Sequence, residues 1–147
     1  MIITCLRFFT VYGPRQRPDL AIYKFASLIE RDLEVPLFGD GNSLRDYTYV
    51  DDIVEGILAA LELKTAFEVI NLGNSKPVSL LEMVRLLEGK LGRTARVRYQ
   101  RNQLGDMPFT HANLAKARRV LNFVPKVPFD KGVEQFVEWF RKTGIKG

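Results

Sequence analysis

Strand-like and helix-like segments alternate along this chain, and the first of them is a run that needs cover on both faces. Ile2-Ile3-Thr4-Cys5-Leu6-Arg7-Phe8-Phe9 is apolar and β-prone, and Tyr12-Gly13-Pro14 ends it as a turn. A near-continuous apolar strand belongs in a parallel sheet with helices packed above and below. No β-α-β unit precedes the run in this sequence, so the expectation is a chain that starts in the middle of a fold.

The rest reads as one mixed α/β unit. Residues 19–33 form a helical pattern, introduced by Pro18 and Asp19, with Leu20, Tyr23, Phe25, Leu28 and Ile29 on its apolar face. Val35–Phe38 and Arg45–Val50 read as strands around the loop Gly39-Asp40-Gly41-Asn42, and residues 10–18 read as a loop. Asp51 and Asp52 are expected to cap a helix reaching Leu63. Glu68–Leu72 is a further strand. Ser79 and Glu82 form a capping box for a helix that runs to Leu91 and ends at Gly92. Ala95–Tyr99 is a strand, Asn113–Leu121 a short helix, and Phe129–Lys142 an amphipathic helix carrying Val133, Phe136, Val137 and Phe140.

Composition bounds the function class. Apolar residues make up 46% of the 147 and charged residues 27%, an ordinary globular balance. The longest apolar runs fall well short of the ~20 residues that span a bilayer, and the start has no signal-peptide pattern. A single cysteine, Cys5, inside a strand reads as a small core residue and fits a reducing cytoplasm. The net charge of +5 points to an anionic partner without choosing among nucleic acid, a membrane surface and a phosphorylated small molecule.

Three segments could carry chemistry. In Arg7-Phe8-Phe9-Thr10-Val11-Tyr12-Gly13-Pro14-Arg15-Gln16-Arg17-Pro18-Asp19 a strand gives way to a basic loop and then a helix N-terminus, which suits an anion. A solvated basic turn explains the same residues. In the segment from Pro36 to Asp52, Gly39 and Gly41 allow a sharp turn but make neither a Walker A loop nor a dinucleotide fingerprint. Arg45 beside Asp46 reads as a surface ion pair of small value. Gln103-Leu104-Gly105-Asp106-Met107-Pro108-Phe109-Thr110-His111 reads as a connecting loop. His111 has no partners at metal-ligand spacing, so it reads as structural or solvent-exposed, and no metal site is expected.

Taken together and in this order, the segments resemble the extended short-chain dehydrogenase/reductase family. Within it they are most similar to UDP-glucuronate 4-epimerases and related NAD-dependent nucleotide-sugar epimerases. The resemblance rests on Arg7 to Pro14 with Arg17-Pro18-Asp19, on Gly39-Asp40-Gly41 with Arg45 to Asp52, and on Asn71-Leu72-Gly73-Asn74 with Gly105-Asp106. It implies a substrate-binding role for Thr10 at the sugar or diphosphate. It also places Arg17 near a sugar carboxylate, Phe38 at the uracil, Arg45 at the diphosphate and Asp106 at the nucleoside. Phe8 maps beside the nicotinamide of NAD. Gln103, where galactose-type relatives carry an arginine, implies the glucuronate branch, and Arg101 could partly substitute. Asn113 and Asn122 stand where an aspartate cap and a glycine are usual, and both can serve there.

The sequence lacks the family's glycine-rich dinucleotide fingerprint and its Tyr-x-x-x-Lys pair. The resemblance therefore implies a C-terminal substrate-binding portion: residues 1–18 a residual Rossmann strand and loop, residues 19–147 a mixed α/β substrate domain, and the NAD-binding domain elsewhere. The expected partners are a UDP-sugar and that missing domain or a full-length subunit, with neither nucleic acid nor membrane, and NAD is not expected to bind this chain alone. The competing expectations are a non-catalytic module that self-associates, as a homodimer, and a fragment of a related dehydratase or decarboxylase.

Overall fold

The computed structural model describes residues 1–101, 105 and 107–143. Three pairs of parallel strands organise it. β1 (Ile3–Phe8) and β2 (Thr10–Tyr12) are followed by α1 (Ala21–Glu30), β3 (Glu34–Phe38), β4 (Leu44–Arg45), β5 (Tyr47–Tyr49) and α2 (Val50–Leu61). β6 (Phe67–Leu72), β7 (Val78–Ser79), α3 (Leu80–Leu91), β8 (Arg96–Gln100), α4 (Ala115–Leu121) and α5 (Phe129–Thr143) complete the order. β1 runs parallel to β6, β2 to β5 and β3 to β8, while β4 meets β7 antiparallel. The expected mixed α/β architecture is what the chain forms.

The long helices sit where their 3.6-residue periodicity puts them. In α5, Val133, Phe136, Val137 and Phe140 are all buried, one stripe along one face. Each such side chain stabilises the fold by roughly 1.5–3 kcal/mol when fully buried. At the start of α3, Ser79 Oγ accepts the Glu82 N–H at 3.1 Å, and Glu82 Oε2 accepts the Ser79 N–H at 2.8 Å. These bonds hold the Glu82 carboxyl below its ordinary range. Gly92 ends the helix in the left-handed conformation at φ 67°, and Asn122 does the same after α4 at φ 52°.

Two hydrophobic clusters form, and they interleave in sequence. One gathers α1, α3 and α5 around β2, β3 and β5, with Phe25, Leu37, Tyr47, Leu87 and Phe136 among its members. The other packs α2 and α4 onto β6, through Ile53, Ile70, Leu72, Ala117 and Leu121. Contact there is close: a methyl group on Gly56 would stand 2.7 Å from Leu72 Cδ1. Only one face of the β1–β6 pair receives this cover. On its other face Ile3, Cys5, Phe67 and Val69 are exposed.

Four local expectations are corrected. Cys5 is exposed rather than in the core, because alternate residues of β1 face away from the helices. Thr10–Tyr12 is a strand, not loop. At Phe9 the chain leaves β6, its N–H still bonded to Leu72 O at 3.0 Å, and the next residue bonds Asp46 O instead. The expected strand from Arg45 to Val50 is split at Asp46 into β4 and β5, which pair with different partners. Finally, Asp51 and Asp52 do not cap α2. Tyr49 holds the N-cap position without a side-chain bond. Asp52, almost fully buried, accepts the backbone N–H groups of Lys126 at 2.9 Å and Val127 at 3.1 Å.

Candidate functional site

Where β2, β4 and β5 lie against the N-terminus of α1, the chain forms a cavity of about 320 Å³ that is open to solvent, within the size range of small-molecule sites. Its walls come from five separate stretches: Thr10 to Tyr12, the Gln16–Phe25 region, Phe38, Ser43 to Tyr47, and Leu80. No side chain caps the start of α1, and no acidic residue occupies its first turn. Ala21 and Ile22, the first residues of that helix, line the cavity. An uncapped helix N-terminus favours an anion there.

Thr10, Phe38 and Arg45 are brought together on this cavity. Thr10 is placed by the pairing of β2 with β5, and Phe38 by the last position of β3 opposite Gln100. Arg45 closes β4, and its Nη1 donates to Leu44 O at 3.0 Å. Arg17 is not among the lining residues. Its side chain is 77% exposed and its guanidinium bonds Asp19, with Nε to Oδ1 at 3.0 Å. That bond holds the Asp19 carboxyl below its ordinary range. Phe8, half exposed, ends β1 and lies outside the cavity lining. Gln103 and Asp106 lie outside the described residues.

Sequence reasoning missed several wall residues. Asp19, Lys24 and Gln16 line the cavity, and Gln16 Oε1 accepts the Gly13 N–H at 3.3 Å. Lys24 could have been found from helix phase, since it falls one turn after Leu20 on the cavity side. Tyr12 contributes its ring and donates its hydroxyl to Phe129 O at 3.2 Å. Burial pushes that phenol well above its usual pKa, so it stays a neutral donor.

The largest departure concerns Asp46, expected in a surface pair with Arg45. It is fully buried. Oδ1 accepts the Asn74 N–H at 2.7 Å, and Oδ2 accepts those of Ser75 at 2.9 Å and Ala112 at 2.8 Å. Its own N–H donates to Thr110 Oγ1 at 3.1 Å, and its carbonyl accepts the Thr10 N–H at 3.0 Å. One residue thus ties together the strand bearing Thr10, the Asn74 turn and the 110–112 segment, and so fixes the backbone that carries Arg45. His111 is exposed, as expected, with Nε2 2.9 Å from Ser75 Oγ.

Among the described residues no group of three His, Cys, Asp or Glu could hold a metal, and no helix is long and apolar enough to cross a membrane. β1 leads into β2 rather than into a helix. Among the described residues β1 is therefore not followed by the glycine turn and helix that cradle a dinucleotide pyrophosphate.

The model of the NAD dependent epimerase/dehydratase family matches residues 1–73. The chain is 37% identical over 142 residues to the UDP-glucuronate 4-epimerase of Thermodesulfobacterium geofontis, covering 96% of this chain and 44% of that one. In structure it matches UDP-glucuronic acid 4-epimerase from Bacillus cereus, solved with UDP-glucuronic acid and NAD. The TM-score is 0.89 at 37% identity, over 95% of this chain and 45% of that chain. MoeE5, solved with UDP-glucuronic acid and NAD, matches with a TM-score of 0.92 at 33% identity, over 97% and 48%.

The chain belongs to the NAD dependent epimerase/dehydratase family.

It spans less than half the length of the curated relatives just described and of the first ones it matches. Thr10, Phe38 and Arg45, distant from one another in sequence, all line the cavity.

Proposed function

We propose that this chain is the substrate-binding part of an NAD-dependent nucleotide-sugar epimerase, and that its cavity takes the UDP portion of UDP-glucuronate. The observation that carries this reading is the convergence of Thr10, Phe38 and Arg45 on one cavity beside the open end of α1. Arg45 supplies the charge for a diphosphate, Phe38 an aromatic wall for uracil, and Thr10 a hydroxyl near the sugar. Gln103, Asp106 and Arg17 would complete the set.

In this reading residues 1–147 form one substrate-binding domain of a cytoplasmic enzyme. The NAD-binding half packs on the bare apolar face of β1 and β6 and on the exposed Val54, Leu58 and Leu61 of α2. Phe8 at the end of β1 would face the nicotinamide. NAD supplies the hydride chemistry when bound, and the residues described here bind and orient the sugar nucleotide. The proton-transfer pair belongs to the other half.

Two results test this. Titration calorimetry should show UDP binding that Arg45→Ala weakens about 10- to 100-fold, since a hydrogen bond to a charged group contributes about 1.5–3 kcal/mol. Unchanged binding would remove Arg45 from the site. The purified chain, given UDP-glucuronate and NAD, should show no epimerisation by chromatography of the products, and turnover by it would overturn the division of labour.

The same bare apolar surface supports a second reading, a non-catalytic module that pairs with itself. Sedimentation showing an obligate dimer that binds no UDP-sugar would favour it.

A further inference from the structure

The loop between β2 and α1 holds an ion pair with a direct bearing on substrate choice. Arg17 presents Nε to Asp19 Oδ1 at 3.0 Å and Nη2 to Asp19 Oδ2. Both arms of one guanidinium edge are committed to a single carboxylate, the geometry by which arginine recognises any carboxylate. Of the two residues, Asp19 lines the cavity and Arg17 does not. The side chains are 77% and 60% exposed. The pair is therefore screened by solvent and readily exchanged.

A sugar carboxylate in the cavity would meet the like charge of Asp19 in its lining. To reach the Arg17 fork it must displace Asp19 from the same two nitrogens. A neutral sugar makes no such demand and leaves the pair intact.

We infer that Asp19 is a specificity-determining residue: an internal competitor that occupies the Arg17 fork and sets how strongly the site prefers UDP-glucuronate over UDP-glucose. The inference rests on the proposed reading of the cavity as a UDP-sugar site. Asp19 acts through Arg17, so its contribution appears only with ligands that carry a carboxylate, beyond a general charge effect that all anionic ligands share.

The size of the effect follows from the exposure of the pair. Displacing a screened surface ion pair changes an equilibrium by up to about fivefold. Asp19→Asn should therefore raise the preference for UDP-glucuronate over UDP-glucose by up to about fivefold, while UDP and UDP-glucose shift together by a common factor.

The test is titration calorimetry at low salt with UDP, UDP-glucose and UDP-glucuronate. It uses the wild-type chain, Asp19→Asn, Arg17→Ala and the double variant, each checked by circular dichroism. The expected result is a raised preference in Asp19→Asn that disappears in the double variant. A preference that stays unchanged or falls in Asp19→Asn overturns the inference, as does a rise that persists without Arg17. If UDP binds in an Arg45-dependent way while the preference does not move, the inference alone fails. If the wild-type chain binds none of the three ligands, the reading of the cavity fails with it.

Discussion

Asp46→Ala should lower folding stability by about 3–5 kcal/mol, measured by urea denaturation followed by far-ultraviolet circular dichroism. The carboxylate has no contact with solvent and accepts three backbone N–H groups, from Asn74, Ser75 and Ala112. Alanine leaves all three donors without an acceptor. Each orphaned buried group costs about 1–3 kcal/mol, and local relaxation or an entering water recovers part of the sum. A whole domain is stable by only about 5–15 kcal/mol, so the loss is a large share of the total. Asp46→Asn should cost less. Its carbonyl oxygen can replace Oδ2 for Ser75 and Ala112, but its NH₂ then faces the Asn74 N–H, donor against donor. A loss below about 1 kcal/mol for alanine would show that the three segments hold their places without the carboxylate.

Gly132→Ala should destabilise the chain by about 2 kcal/mol and weaken UDP binding in the same variant. The added methyl group would overlap the Tyr12 hydroxyl and stand 2.8 Å from both Tyr12 Cζ and Tyr49 Cδ2. Neither ring has room to give. Tyr12 and Tyr49 are buried, and Tyr12 packs edge-on against Tyr47, Tyr49 and Phe129. Alanine recovers up to about 1 kcal/mol of helix propensity, and overpacking of a dense core costs about 1–3 kcal/mol. Here two rings are struck at once, so overpacking wins. The relief available is for α5 to move off β2 and β5, and Tyr12 moves with it. Because Tyr12 is also a cavity wall, the damage should appear in calorimetry with UDP as well as in the melt. A stabilised variant with unchanged binding would mean that α5 sits further from the tyrosines than described.

How much of this was legible in the sequence depends on the range of the interaction. The α3 cap was fully readable, because Ser79 and Glu82 answer each other across a single turn. The amphipathic stripes of α1 and α5 were readable for the same reason. Thr10, Phe38 and Arg45, which line the cavity, were named through the order of motifs, and spacing alone would have left Arg45 in a surface pair. Asp46 and Asp52 were misread because their partners lie at residues 74–75, 112 and 126–127. A carboxylate beside an arginine, or at a helix start, looks the same in sequence whether it faces water or collects distant amides. β2, β4 and β7 have two or three residues each, too few for an alternating pattern to declare itself. The exposure of Cys5 depends on what covers the outer face of β1, and no local pattern encodes that.

The parallel pairings also set an order of events during synthesis. β1 waits for β6, and β3 for β8, and in each case two helices must be made before the partner strand exists. Contacts so distant along the chain make folding slow, since loop closure precedes any reward from pairing. Through that interval the β6 residues that pair with Ile3, Leu6 and Phe8 have not yet been made. A nascent chain in this state is a natural client for a chaperone that shields short apolar segments.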